Sequence, residues 1–405
     1  RRHPFIYASA IPFGLCFYLS FSPPEGLSQI QLFSWMLIWS SLTRCFMTLY
    51  HVPHLALGAE LSNDYAERTR VFAFSSFFGF FGAALMFVLA YSVFFTKSAE
   101  FPNNPQLDPS GYEPMALVFS TIIVVFIFIS GIGTHSRIPY LNVSDSHASF
   151  SFKRLLEELK EALNNPHFKN LFIGILFFFI SRGVEGSLSI YMGTFFWKLG
   201  DKALVVPMVL LFGVMMGVPI WASFSNKVQK KTMFLSGLIV FGLLSTGTPL
   251  LKIVGFFPDN SSDFYLPTIM ILTLISALAV AGPVVANGAM LADIADQHEL
   301  KTGRRQEGIF FGAMAFSSKA SHGLGAGISS LGLWAISFPT QIKEVSVIDD
   351  NTITYLGILA GPSTLIIMLI ALIYLNRYNL TKEIHADIKL QLAEKRSPTT
   401  QPRES

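Results

Sequence analysis

Ten stretches of mostly apolar residues, separated by polar segments, constrain this chain more than any other feature. They run over 4–21, 29–57, 71–95, 115–134, 170–197, 203–222, 232–254, 264–291, 309–335 and 352–376. About 20 such residues in a helix cross the roughly 30 Å of a bilayer's hydrocarbon. In lipid the backbone has no water to bond to, so spanning segments of this length are helices. The alternating pattern of a membrane barrel is absent. Of 405 residues, 51% are hydrophobic and only 14% charged, against about 25% charged in soluble domains. The chain therefore reads as an all-α polytopic membrane protein with the lipid bilayer as its partner. A formal charge of +3 gives no support for a nucleic-acid partner, and Cys16 and Cys45 both lie in apolar runs, which argues against a disulfide framework.

Loop charge predicts sidedness. Most Lys and Arg residues fall in one alternate set of loops and the tail, whereas the opposite set holds Lys97, Lys198, Lys202, Lys252 and Lys343. The richer set belongs in the cytoplasm, placing both ends of this chain inside an inner or plasma membrane. The sequon Asn260-Ser261-Ser262 then falls outside. The organisation expected is an N-terminal bundle over 1–134, a linker over 135–169 with an amphipathic helix near 152–160, a six-helix bundle over 170–376 and a tail over 377–405. The tail carries a second amphipathic helix over 381–396, and disorder is expected from Ser397 onward. Pro53, Ala56, Gly58, Ala59 and Leu61 recur at one constant offset as Pro283, Ala286, Gly288, Ala289 and Leu291. A parallel duplication of a helical bundle, with the solute site between the halves, accounts for that repeat. Six runs follow the linker and four precede it, so the expectation is that two N-terminal helices are missing from this chain.

A charge inside a membrane span is costly and marks a candidate site. The run 29–57 carries Arg44 and His51, nearly two turns and about 10 Å apart on one face, with Thr48 between them. They form either a polar wall on a solvated cavity or a satisfied contact between helices. Histidine titrates near neutral pH, which makes His51 a candidate for proton coupling. Arg182 and Glu185 lie three residues apart on one helical face, as a self-neutralised pair or as solute contacts. Lys319, with His322 one turn on, has no acid near it in its own run, so its partner must come from another helix, an ion, water or a ligand. Gly323-Leu324-Gly325-Ala326-Gly327 lies inside a span and reads as close helix packing, like Gly213 and Gly217, rather than as a dinucleotide loop. His298-Glu299 lacks the second histidine of a zinc protease motif, and Asp293, Asp296 and Glu299 are expected to pair with Lys301, Arg304 and Arg305 in an inner loop. With no nucleophile–base set and no phosphate loop, an enzyme is the least favoured class, and neither a metal nor a cofactor is called for.

Three stretches carry a family resemblance: Pro53 through Arg70, Ala292 through Gly308, and Arg1-Arg2-His3-Pro4. They resemble, respectively, the end of helix four with its following loop, the loop between helices ten and eleven, and the end of the second loop in the glycoside–pentoside–hexuronide:cation symporters, the melibiose permease-like family of the major facilitator superfamily. The resemblance implies the twelve-helix major facilitator fold, with ten helices present here, and alternating access driven by Na⁺ or H⁺. It implies a cation or proton site containing Thr48 and Lys319. Where the melibiose permease has an aspartate, this chain has His51; a sugar-contacting tryptophan corresponds to Leu55, and an arginine to Ser75 or Ser76. A Na⁺ site wants hard oxygen ligands, as other hard cations do. His51 therefore favours H⁺, or uncoupled transport, over Na⁺. The expected partner is a small solute, a carbohydrate first, contacted by Arg44, Arg182, Glu185 and His322. The competing readings are a lysolipid or organic-anion transporter and a transporter-like receptor that moves nothing.

Overall fold

The computed structural model describes residues 2–60, 65–99, 101–102, 104–138, 157, 160–203, 205–224, 227–303, 307–339 and 348–396. They form two compact units, Arg1–Ala148 and Ser149–Ser405. The first contains α1 (His3–Phe21), α2 (Gln29–Glu60), α3 (Tyr65–Leu89) and α4 (Tyr112–His135). The second contains α5 (Pro166–Tyr191), α6 (Val205–Phe224), α7 (Lys230–Ile253), α8 (Tyr265–Thr302), α9 (Glu307–Ala335), α10 (Asp350–Ala360), α11 (Pro362–Asn376) and α12 (Lys382–Arg396). Every one of the ten apolar runs is helical. Eight helical segments among the described residues are long and apolar enough to cross a membrane. Outside that set stand α2 and α9, the helices that carry Arg44, Thr48 and His51, and Lys319 and His322.

In the first unit α1 packs against both α2 and α4 through Ile6, Ala10, Leu57 and Ile127. In the second, α5 lies against α9 and α11, α8 against α6 and α7, and α12 against α8. Phe168, Leu171, Phe234, Leu238, Phe310 and Leu375 fill the shared core. Outward faces are apolar as well: Phe74, Phe77, Phe78 and Phe81 of α3 are all more than half exposed. Exposed apolar surface of this extent suits lipid and not water.

Local chemistry sets several boundaries. Asn165 accepts from the backbone N–H of His167 and Phe168 (3.0 and 3.3 Å), and Pro166 follows it at the first helical position, so α5 begins there. Three expectations are corrected. The stretch after Leu291 is no loop, because α8 continues to Thr302 and ends on Gly303 in the left-handed region (φ 69°), whose N–H bonds Glu299 O at 2.8 Å. The run 352–376 is two helices, since Pro362 has no N–H to continue the ladder and disfavours helical geometry at Gly361 (φ −100°, ψ −88°). Only Gly325 of its glycine-rich stretch makes a close contact. A Cβ there would stand 2.6 Å from the Gly183 carbonyl carbon, so α5 and α9 touch backbone to backbone, whereas Gly323 and Gly327 have open space. Gly213 and Gly217 do seat α6 on α8, against Ala277 and Ala281. The amphipathic helix expected near 152–160 falls mostly outside the described residues, as do Ser397 onward and the side chains of Leu55 and Ser76.

Candidate functional site

The polar face of α2 is open. Arg44, Thr48 and His51 are all exposed within their unit, and the Thr48 hydroxyl donates to Arg44 O at 2.8 Å, the local bond that lets a threonine sit in an apolar helix. The Arg44 guanidinium makes no ion pair among the described residues. A further polar side chain on this helix, His54, went unnoticed in the sequence. His54 stacks on Tyr50 with centroids 5.1 Å apart, and its Nδ1 lies 3.2 Å from Ser130 Oγ on α4. Its signal was there, since His54 follows His51 by three residues and Tyr50 by four.

In the second unit, Arg182 and Glu185 form the expected ion pair within α5. The guanidinium carbon lies 4.9 Å from the Phe241 ring centroid of α7, a cation–π contact that supports the pair from the neighbouring helix. Both charges are thus used internally. Lys319 differs: its side chain is exposed on α9 and makes no ion pair among the described residues. One turn on, exposed His322 has Nδ1 at 2.7 Å from Ser318 O. A carbonyl accepts only, so Nδ1 carries the proton and Nε2 is left to meet a ligand. The Phe179 ring of α5, 5.9 Å away, fixes the imidazole's setting. Each unit therefore presents a cation on one of its less apolar helices, Arg44 on α2 and Lys319 on α9, without an acid to neutralise it among the described residues.

Lys252 is well partnered. Lys252 donates to Phe196 O and the Tyr265 hydroxyl, both at 2.6 Å, and to Asn260 Oδ1 at 3.3 Å. Its Nζ also stands about 5 Å from the centroids of Phe196, Trp197 and Tyr265. Among the described residues, Asp293 and Asp296 pair with other helices. Asp293 takes Lys230 of α7 and His385 of α12, and Asp296 takes His385. Arg304 and Arg305 lie outside the described residues.

An apolar helical bundle with a few cations left open on its less apolar helices is the architecture of a membrane transporter. The family model described as MFS/sugar transport protein matches residues 1–382, and the chain belongs to that family, in agreement with the resemblance read from its motifs. Its relatives are transporters. An uncharacterized symporter of Synechocystis is 24% identical over 97% of this chain and 84% of that protein. The isoprimeverose transporter of Lactiplantibacillus pentosus is 24% identical over 82% of this chain and 65% of that protein. The sodium-dependent lysophosphatidylcholine symporter 1 of Mus musculus is 22% identical over 93% and 72%. In fold, the chain is similar to the partially occluded inward-open xylose transporter of E. coli, with a TM-score of 0.51, 12% identity, and coverage of 93% of this chain and 82% of that one. The chain is an integral membrane protein of the major facilitator fold.

Proposed function

We propose that this chain is a secondary active transporter that carries a sugar or glycoside together with a cation, H⁺ in preference to Na⁺, by alternating access. The observation that carries the reading is Lys319, a cation on a membrane helix whose charge no acid offsets among the described residues. Such a charge is expensive unless it faces a polar cavity or a ligand. Arg44 in the first unit, and Lys319 with Nε2 of His322 in the second, are each groups of the kind that bond a hydroxyl-rich solute. His51 serves as the proton site, with Thr48 beside it; a protonated imidazole repels Na⁺, and a neutral one offers nitrogen where a hard cation wants oxygen. Alternating access would expose these groups to each side in turn, in an inner or plasma membrane with both ends of this chain cytoplasmic.

A second reading, a lysolipid or another organic anion, is favoured by the same acid-free cations and by the similarity to lysophosphatidylcholine symporters. One experiment tests both. Glycosides, organic anions and a lysolipid are offered to proteoliposomes containing the protein, with and without an inward proton gradient and with a sodium gradient. Accumulation of a glycoside that rises with the proton gradient is the expected result. Uptake indifferent to that gradient ends the proton assignment, and uptake of the anionic solutes alone replaces the sugar reading with the second one.

A further inference from the structure

The tail helix α12 is docked on the charge-rich end of α8. Its apolar face is sequestered: Ile388 and Leu392 are each 5% exposed and belong to the same core as Phe168 and Ile294. At the far end of the helix, Lys395 Nζ donates to Leu300 O at 3.1 Å. Near the start of the helix, ahead of these anchors, stands His385, gripped from both sides. Its Nδ1 lies 3.2 Å from Asp293 Oδ1, and its Nε2 lies 3.0 Å from Asp296 Oδ2, on the next turn of α8. The Nε2 contact is a hydrogen bond donated to Asp296 and the Nδ1 contact an ion pair with Asp293, so a ring carrying two N–H groups and a positive charge serves both carboxylates at once. A neutral imidazole has one N–H and an imidazolium has two. With one proton gone, a nitrogen lone pair faces a carboxylate oxygen at about hydrogen-bond distance, and attraction becomes repulsion.

We propose that α12 is a proton-operated clasp, seated on the end of α8 when both nitrogens of His385 carry hydrogen and loosened when one is lost. The groups facing His385 are few. From α8 come Asp293 and Asp296. From α7, Lys230 binds both oxygens of Asp293 at 2.7 and 2.6 Å. From the segment joining α11 to α12, Tyr378 packs fully buried against the same aspartate. On α12 itself, Lys382, Glu383, Asp387 and Lys389 flank the histidine in sequence. Burial and then the charge of Asp293 push the Tyr378 phenol up, and the Thr381 hydroxyl holds the Glu383 carboxyl below its usual range. Neither changes its charge near neutrality, where histidine ordinarily does. Lysine 230 keeps Asp293 occupied after the imidazole lets go, so release needs no rearrangement of α7 and α8.

The test is a nitroxide on the exposed face of α12, at Lys389→Cys, in a protein whose own Cys16 and Cys45 are replaced, reconstituted in lipid nanodiscs and followed by electron paramagnetic resonance from about pH 5.5 to 9. The mobile fraction of the spectrum should rise several-fold as pH increases. His385→Arg and His385→Gln each supply N–H donors that do not titrate in this range, and each should abolish the pH response. A second histidine at this end, His298, approaches Glu161 at 4.0 Å and stays in place in both variants, so it serves as the internal control. A spectrum that does not change with pH in the parent, or a response that survives in either variant, overturns the proposal.

Discussion

Arg182 and Glu185 neutralise each other within one turn of α5, and the consequence is asymmetric. Glu185→Gln keeps an acceptor oxygen but removes the negative charge, leaving the guanidinium of the α5–α7 contact with no counter-charge in its pair and the Phe241 ring beside it. Breaking a largely buried pair costs about 3–5 kcal/mol, whereas replacing both members by apolar residues is often close to neutral. Thermal unfolding in detergent should therefore show a clear loss of Tm for Glu185→Gln and recovery of most of it in the double variant Arg182→Met, Glu185→Leu; equal losses in both would refute the pairing's structural role. This pair was legible in the sequence because both members share one helix at a spacing that fixes their contact. The partners of Asp293 were not, since Lys230 and His385 come from helices far away in the chain and periodicity says nothing about which helix end meets which. His54 shows a third case, a polar residue hidden by a family motif that drew attention to its neighbours.

Helix contacts make a sharper statement about glycine than composition does. Gly325 meets Gly183 and Ile180 O with no room for a methyl group, while Gly323, half a turn away, has none of these contacts. Gly325→Ala should destabilise by about 1–3 kcal/mol through overpacking, and Gly323→Ala should be neutral or stabilising by up to about 1 kcal/mol, because alanine is the better helix former. Denaturation midpoints of the two variants check the difference, and matching losses would show that α5 and α9 do not touch there. The apolar runs located the helices, and eight helical segments among the described residues are long and apolar enough to cross, because hydropathy and length decide what lipid accepts. Hydropathy is blind to the backbone, however, and so the break at Gly361–Pro362 passed as a continuous span although the dipeptide itself carries the signal. The same blindness treated the polar end of α8 as a loop: its carboxylates are satisfied by α7 and α12, and a helix whose polar groups have partners need not stop where its apolar run does.

Lipid as the solvent organises the whole chain. Among the described residues, eight helical segments are apolar enough to cross on their own account, and α2 and α9, which fall outside that set, carry the open cations Arg44 and Lys319. A helix of that kind is tolerated in a bilayer when its polar face meets something other than lipid, and transport is the role that the family membership supplies. The sequence could identify the class and the helices because both follow from transfer energies; it could not identify the cargo, which depends on a few polar side chains rather than on hydropathy. The most direct measurement is solute exchange by counterflow in proteoliposomes, comparing the parent with Lys319→Ala at matched protein content in the membrane. The account predicts exchange of a solute by the parent and its loss, together with loss of gradient-driven accumulation, in Lys319→Ala. Undiminished accumulation in the variant, or a parent protein that exchanges no solute, would contradict it.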